Sequence, residues 1–269
     1  MPQLPVSGTQ LHYERRGSGE PLLLVQGLGG HSGHWGEPFL ADLERDFELV
    51  VYDHRGTGRS APLNGTDIST VSLAHDALAL LDGLGVESVH VMGISMGGMV
   101  AQELALRAPE RVRTLTHGCT SAGGTQSKPT SGEIVQELTA AVLSGDFDRV
   151  LRAGFGVCVS PGFAANPANY AAFGEVARSY PTELGSLMSQ QAALNGHDAY
   201  GRLQGIEKPT LVIHGTEDRL LERVNGELIA GLIPGARLEL LEGVGHLFFW
   251  EQPERSAALV REHVLAGGS

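Results

Sequence analysis

Gly93-Ile94-Ser95-Met96-Gly97-Gly98 reads G-x-S-x-G, a spacing whose chemistry is nucleophilic attack by a serine. A short apolar run, Ser88–Ile94, precedes the serine, and helical periodicity follows over Ser95–Arg107. A tight strand-to-helix turn at that point holds Ser95 in a strained conformation, with Gly93 and Gly97 leaving room for the backbone to close. The hydroxyl then sits at the positive end of the following helix, where developing negative charge is favoured. Taken alone, the six residues also fit a glycine-rich turn with no chemistry. The nucleophilic reading needs a base, and a third group to orient that base.

Two later loops supply both. Gly243-Val244-Gly245-His246 follows the last strand-like run. A neutral imidazole there can take the serine proton and return it to a leaving group. His214-Gly215-Thr216-Glu217-Asp218 follows the preceding run. Asp218 is the candidate for orienting the imidazole, with Glu217 as its local competitor. A single Asp in such a loop is more often a turn former or helix cap. The chain has 11 histidines, and His31, His34, His75, His197 and His263 are read as surface or core residues. Gln26-Gly27-Leu28-Gly29-Gly30 follows the first buried run. The amides of Leu28 and Met96 are assigned to an oxyanion hole, although the glycines also simply permit a sharp turn.

The elements that must position these residues alternate between strand and helix. Thr9–Arg16 reads as an edge strand. Pro21–Gln26, Phe47–Tyr52, Ser88–Ile94, Val112–His117, Pro209–His214 and Ala236–Leu241 read as further strands. Ser72–Leu84 has helical periodicity and stops at Gly85. This alternation implies an α/β fold, a mostly parallel, doubly wound sheet with helices on both faces. From Ser121 to Gly205 no buried strand is predicted. Helices are expected at Glu133–Leu143, Phe147–Val157, Asn169–Arg178 and Glu183–Ala199. The expected organisation is therefore a core of residues 1–120 and 206–269, with a helical cap of residues 121–205 inserted between core strands. Gly123-Gly124 and Gly205 would be its hinges. Within the cap, Phe155, Phe163, Tyr170, Phe173, Tyr180 and Met188 are candidates for lining an apolar pocket, as is Gln26 from the core. At helical spacing such residues also serve as plain core.

Bulk properties exclude several classes. A formal net charge of −12 argues against a nucleic-acid partner, which needs a basic surface. No apolar stretch approaches the ~20 residues of a membrane helix, so no membrane association is expected. Cys119 and Cys158 make no disulfide framework, and a cytoplasmic location is the default. Met1–Glu20 lacks the pattern of a signal peptide. Neither a metal nor a cofactor is expected, since there is no H-E-x-x-H and no paired cysteine motif. Asp53–Ser60 lacks the lysine and spacing of a phosphate loop and reads as a structural turn, with Arg55 satisfying backbone carbonyls. Cys119 reads as a small buried hydrophobe. The tail Ala266-Gly267-Gly268-Ser269 reads as frayed.

The sequence resembles the α/β-hydrolase fold superfamily over essentially its whole length. The features that carry the resemblance are Gly27-Leu28-Gly29-Gly30, Tyr52–Ser60, Gly93–Gly98, Gly215-Thr216-Glu217-Asp218, and Gly245-His246 followed by Glu251-Gln252-Pro253. It looks most like small capped bacterial esterases, enol-lactonases, methylesterases and cofactor-free haloperoxidase-like enzymes. The order Ser95, Asp218, His246 is the order of that superfamily. Many relatives carry His where Gln26 stands. Some place an alternative acid where this chain has Cys119, which favours Asp218. The resemblance implies hydrolysis of an ester or lactone of a small, largely apolar substrate through an acyl-enzyme. Other activities of the same fold remain open: perhydrolysis or halogenation, carbon–carbon bond hydrolysis, and catalysis in natural-product biosynthesis. So does a ligand-binding sensor using the same pocket.

Overall fold

The computed structural model describes residues 2–267. Its strands are β1 (Gln3–Val6), β2 (Thr9–Gly17), β3 (Glu20–Val25), β4 (Phe47–Tyr52), β5 (Val89–Ile94), β6 (Val112–Gly118), β7 (Thr210–Gly215) and β8 (Arg237–Leu241). They form one sheet in the order β1-β2-β4-β3-β5-β6-β7-β8. From β4 to β8 every neighbouring pair is parallel, whereas β2 runs antiparallel to both β1 and β4. The helices are α1 (Glu37–Leu43), α2 (Thr70–Gly83), α3 (Met96–Arg107), α4 (Gly132–Leu143), α5 (Phe147–Cys158), α6 (Pro161–Ala164), α7 (Pro167–Ser179), α8 (Leu184–Asn195), α9 (Val224–Leu232), α10 (Phe248–Glu251) and α11 (Pro253–Gly267).

Period-two alternation sorts the strand side chains into two cores. Leu23 and Val25 of β3, Val89 and Val91 of β5, and Val212 of β7 pack with α2, α3 and α9. Leu22, Leu24, Met92, Ile94, Leu211 and Ile213 point the other way, against α1, α10 and α11. Both faces are covered, so the central strands are buried and mostly apolar, with Thr114, Thr116 and His117 of β6 and His90 of β5 as buried polar exceptions. The chain reverses direction at the carboxyl ends of β3, β5, β7 and β8, and the loops carrying Gly27–Gly30, Ser95, Asp218 and His246 all leave the sheet there.

Several local expectations need correction. The segment Thr9–Arg16 is not at the edge, because β1 pairs outside β2. β1 is four residues long and contains Pro5, which weakens its strand signal; an outer strand tolerates the missing N–H. Arg55 does not satisfy backbone carbonyls: its guanidinium forms a two-pronged ion pair with buried Asp76 of α2. Of the glycines expected as hinges, which a static structure does not test, Gly205 ends a 3₁₀ turn (Tyr200–Gly205) and does not adopt the left-handed region. Gly123 and Gly124 do, with φ of 69° and 67°. Their partners are Asp198, bridged to Gly123, and His197, whose carbonyl accepts the Gly124 N–H at 3.1 Å. At the other end of the chain, α11 continues through Ala266 and Gly267 rather than fraying there; Gly268 and Ser269 lie outside the described residues.

Five helices, α4–α8, lie between β6 and β7 in sequence. The helix expected to reach Ala199 stops at Asn195, with Gly196 as its cap. Among the described residues, no helix is long and apolar enough to cross a membrane.

Candidate active site

β5 delivers its last residue into a turn that only glycine neighbours allow. A β-carbon at Gly93 would overlap the Gly97 carbonyl, and one at Gly97 would overlap the carbonyl of Val25. Between them Ser95 takes φ 55° and ψ −123°, a conformation rare for a residue with a side chain. Hydrogen bonds on both sides of its backbone hold it there. Its N–H donates to the Gly118 carbonyl at 2.9 Å, its carbonyl accepts the Gly98 N–H at 2.9 Å, and the Thr120 hydroxyl donates to that carbonyl at 2.6 Å. Strain fixed by converging bonds is characteristic of functional positions.

β7 and β8 place the second pair. His246 Nδ1 lies 2.7 Å from Asp218 Oδ2, and both side chains are buried. A carboxylate only accepts, so Nδ1–H donates, which leaves Nε2 as the ring nitrogen free to act as a base. Asp218 Oδ1 accepts the N–H groups of Leu220 and Leu221, each at 2.9 Å. Burial alone would raise the Asp218 carboxyl; the neighbouring imidazoles of His246 and His214 outweigh it and hold the group well below the usual carboxylate range. Glu217, the competitor, is exposed. Its backbone N–H is bound to the Val244 carbonyl, which ties the two loops together. No hydrogen bond joins Ser95 to His246 among the described residues; such bonds often tighten only when substrate is present.

The loop after β3 packs on the serine. A β-carbon at Gly27 would sit 3.1 Å from Ser95 Cβ and 3.7 Å from its Oγ. The N–H groups of Leu28 and Met96 have no hydrogen-bond acceptor among the described residues. The Met96 amide is the first of α3 and has no partner within that helix. Gln26 is buried; its Oε1 accepts the Gly27 N–H at 2.9 Å, and its own carbonyl accepts from His54 Nε2 at 3.0 Å. Burial pushes the His54 imidazole down, so the ring is a neutral donor.

The candidate pocket residues are distributed unevenly. Phe155 is 3 % exposed, and its ring meets Phe163, Tyr170 and Phe173. Phe173 continues that cluster to His34 and Trp250, and Trp250 Nε1 donates to the His34 carbonyl at 2.7 Å. The aromatic cluster thus joins α5 and α7 to α10 and to the segment before α1. Met188 of α8 is 66 % exposed.

Sequence reasoning missed four residues here. His214 Nε2 donates to the Leu221 carbonyl at 2.7 Å and lies 3.3 Å from Asp218 Oδ2. Glu251 Oε1 accepts the Gly245 N–H at 2.8 Å and the Ser160 N–H at 3.0 Å, linking the His246 loop to the residue before α6. Gln190 and Thr182 both reach Gly29.

Among the described residues one cluster is compact enough to hold a metal ion, with Cys119 Sγ, an Asp218 oxygen and a His246 nitrogen within 4.8 Å of one another. The 2.7 Å hydrogen bond already joins two of these ligands. Burial and the charge of Asp218 push the Cys119 thiol up, away from the thiolate a metal needs.

A family profile for the alpha/beta hydrolase fold matches residues 20–253. A protein of Azorhizobium caulinodans named carbamate hydrolase RutD is 33% identical over 264 residues, covering 94% of each chain. A solved hydrolase structure from Pseudomonas aeruginosa superimposes with a TM-score of 0.85 at 31% identity, covering 98% of this chain and 97% of that one. The enol-lactonase of Burkholderia xenovorans gives a TM-score of 0.86 at 26% identity, covering 98% of this chain and 100% of that one.

Proposed function

This chain belongs to the alpha/beta hydrolase fold family, and from that premise we propose that it is a serine hydrolase acting on an ester or lactone of a small, largely apolar substrate. The observation that carries the reading is the placing, at one end of the sheet, of a strained serine and a buried histidine–carboxylate pair. Asp218 orients His246 and stabilises its charged form. His246 Nε2 takes the Ser95 proton as Oγ attacks the carbonyl carbon. The resulting oxyanion accepts hydrogen bonds from the Leu28 and Met96 amides. Collapse expels the alkoxide, which leaves with the proton from His246. Water, deprotonated by the same imidazole, then attacks the acyl-enzyme and frees Ser95. No step calls for a metal or cofactor.

In this reading α4–α8 form a cap over the reacting groups and set the size of the acyl pocket. Two unpaired thiols suit a reducing cytoplasm. The likeness to RutD favours a second substrate class, a carbamate, in which the same serine attacks a carbonyl flanked by nitrogen and oxygen. Turnover of aryl esters of graded acyl length, lactones of graded ring size and aryl carbamates separates these classes. Turnover of esters or lactones that disappears in Ser95→Ala supports the proposal. Preference for carbamates moves it to the second class. Tight binding of such compounds without turnover above the uncatalysed rate would replace the enzyme by a sensor.

A further inference from the structure

We propose that the cap helix α8 positions the oxyanion hole, with Gln190 and Thr182 as its positioning residues; this rests on the reading of the Leu28 amide as an oxyanion donor. The loop from Gly27 to Gly30 is a tight turn closed by the Gly30 N–H on the Gly27 carbonyl at 3.1 Å. That carbonyl belongs to the same peptide plane as the Leu28 N–H, so whatever holds the turn aims the donor. Gly29 is the third residue of the turn and takes φ 71°, the left-handed position that favours glycine in a type II turn.

Both polar groups of Gly29 end on side chains from the inserted segment, Thr182 in the connection before α8 and Gln190 within α8. Its N–H donates to Gln190 Oε1 at 2.7 Å. Its carbonyl accepts the Thr182 hydroxyl at 3.0 Å. Leu187 lies over the same residue, with its Cδ2 2.7 Å from where a β-carbon would stand. Leu187 and Gln190 are three apart on α8 and share one face. Gln190 is fully buried, and its Nε2 has no hydrogen-bond partner among the described residues. The bond to Gly29 is therefore the one that orients this carboxamide. Three contacts from the Thr182–Gln190 segment thus converge on the turn apex, one residue from the proposed donor. With that segment undocked, both Gly29 groups would face water and the turn would keep only the Gly30–Gly27 closure and the Gln26 contact. Seating the cap and aiming the Leu28 N–H are one event.

The test uses Gln190→Met, which keeps volume and removes the acceptor, and Thr182→Val, which removes the hydroxyl from a half-buried site. Each should lower kcat about tenfold with KM changed less than about twofold. Affinity for phenylboronic acid, whose serine adduct places an oxygen in the hole, should fall with kcat/KM, while the thermal midpoint stays within a few degrees. Unchanged kcat in both variants, or a rise in KM alone, would overturn the proposal, the latter marking Gln190 as a plain substrate contact. If Gln190→Met does not fold, Thr182→Val decides the question. Ser95→Ala run in parallel separates the two claims. Its inactivity beside fully active positioning variants rejects only the positioning role, whereas its full activity rejects the serine mechanism itself.

Discussion

Asp218 engages both of its oxygens: Oδ1 takes two backbone N–H groups, and Oδ2 takes the His246 Nδ1–H. Asp218→Asn can keep either set of bonds with its one remaining oxygen. Meeting the backbone donors leaves an NH₂ facing His246, which favours the wrong imidazole tautomer. Turnover should fall on the order of 10³–10⁴-fold with the fold retained, measured on whichever ester the parent enzyme cleaves best. Exposed Glu217→Gln should change it less than about twofold. The reverse pattern would move the acid to Glu217. The pairing of Asp218 with His246 was legible because each stands in a short glycine-containing loop after a strand. Gln190 was not legible, since its partner Gly29 is 161 residues away and neither residue type announces a long-range contact.

At the scale of elements, the elbow between β5 and α3 is a packing problem that glycine solves. A β-carbon at Gly97 meets the backbone of β3, which cannot yield as a flexible side chain would. Gly97→Ala should therefore destabilise the protein by about 1–3 kcal/mol and also lower activity by displacing Ser95. Gly132→Ala, at the start of α4 with nothing within 4 Å, should be close to neutral. Urea unfolding of the two variants checks the contrast, and equal effects would mean that the elbow relaxes freely. Strands β3 to β7 were readable from the sequence because burial on both faces makes them short, mostly apolar segments rich in leucine and β-branched residues. β1 was not, since it is short, carries a proline and is held mainly by its pairing with β2. Of the helices between β6 and β7, α4, α5, α7 and α8 were readable as helices, whereas the single turn α6 (Pro161–Ala164) was not, being too short to show a periodicity. Which of their faces meets the rest of the chain was not, because that depends on contacts such as Phe173 with Trp250.

Over the whole molecule, several histidines are locked in neutral form. Burial pushes His34 and His117 down to about 3 and His197 to about 4, from an ordinary 6.5. Below about pH 6.5 these residues take up protons when the chain unfolds but not while it is folded, so stability falls as pH drops toward 3–4. Asp218 acts in the same direction: its lowered pKa adds stability above the ordinary 3.8, and that is lost as pH falls further. His117 is fully buried with neither ring nitrogen hydrogen-bonded. His117→Leu should therefore flatten the pH dependence of urea unfolding between pH 6 and 4.5 by up to one proton, about 1.36 kcal/mol per pH unit. An unchanged slope would mean that His117 is protonated in the fold.

The central claim is that Ser95 is the nucleophile, activated by His246. An organophosphonate probe with intact-mass analysis and peptide mapping tests it most directly. One adduct per chain is predicted, on Ser95, absent in Ser95→Ala and formed orders of magnitude more slowly in His246→Ala. An adduct on another residue, or none from a range of probes while the protein turns over substrate, would contradict it.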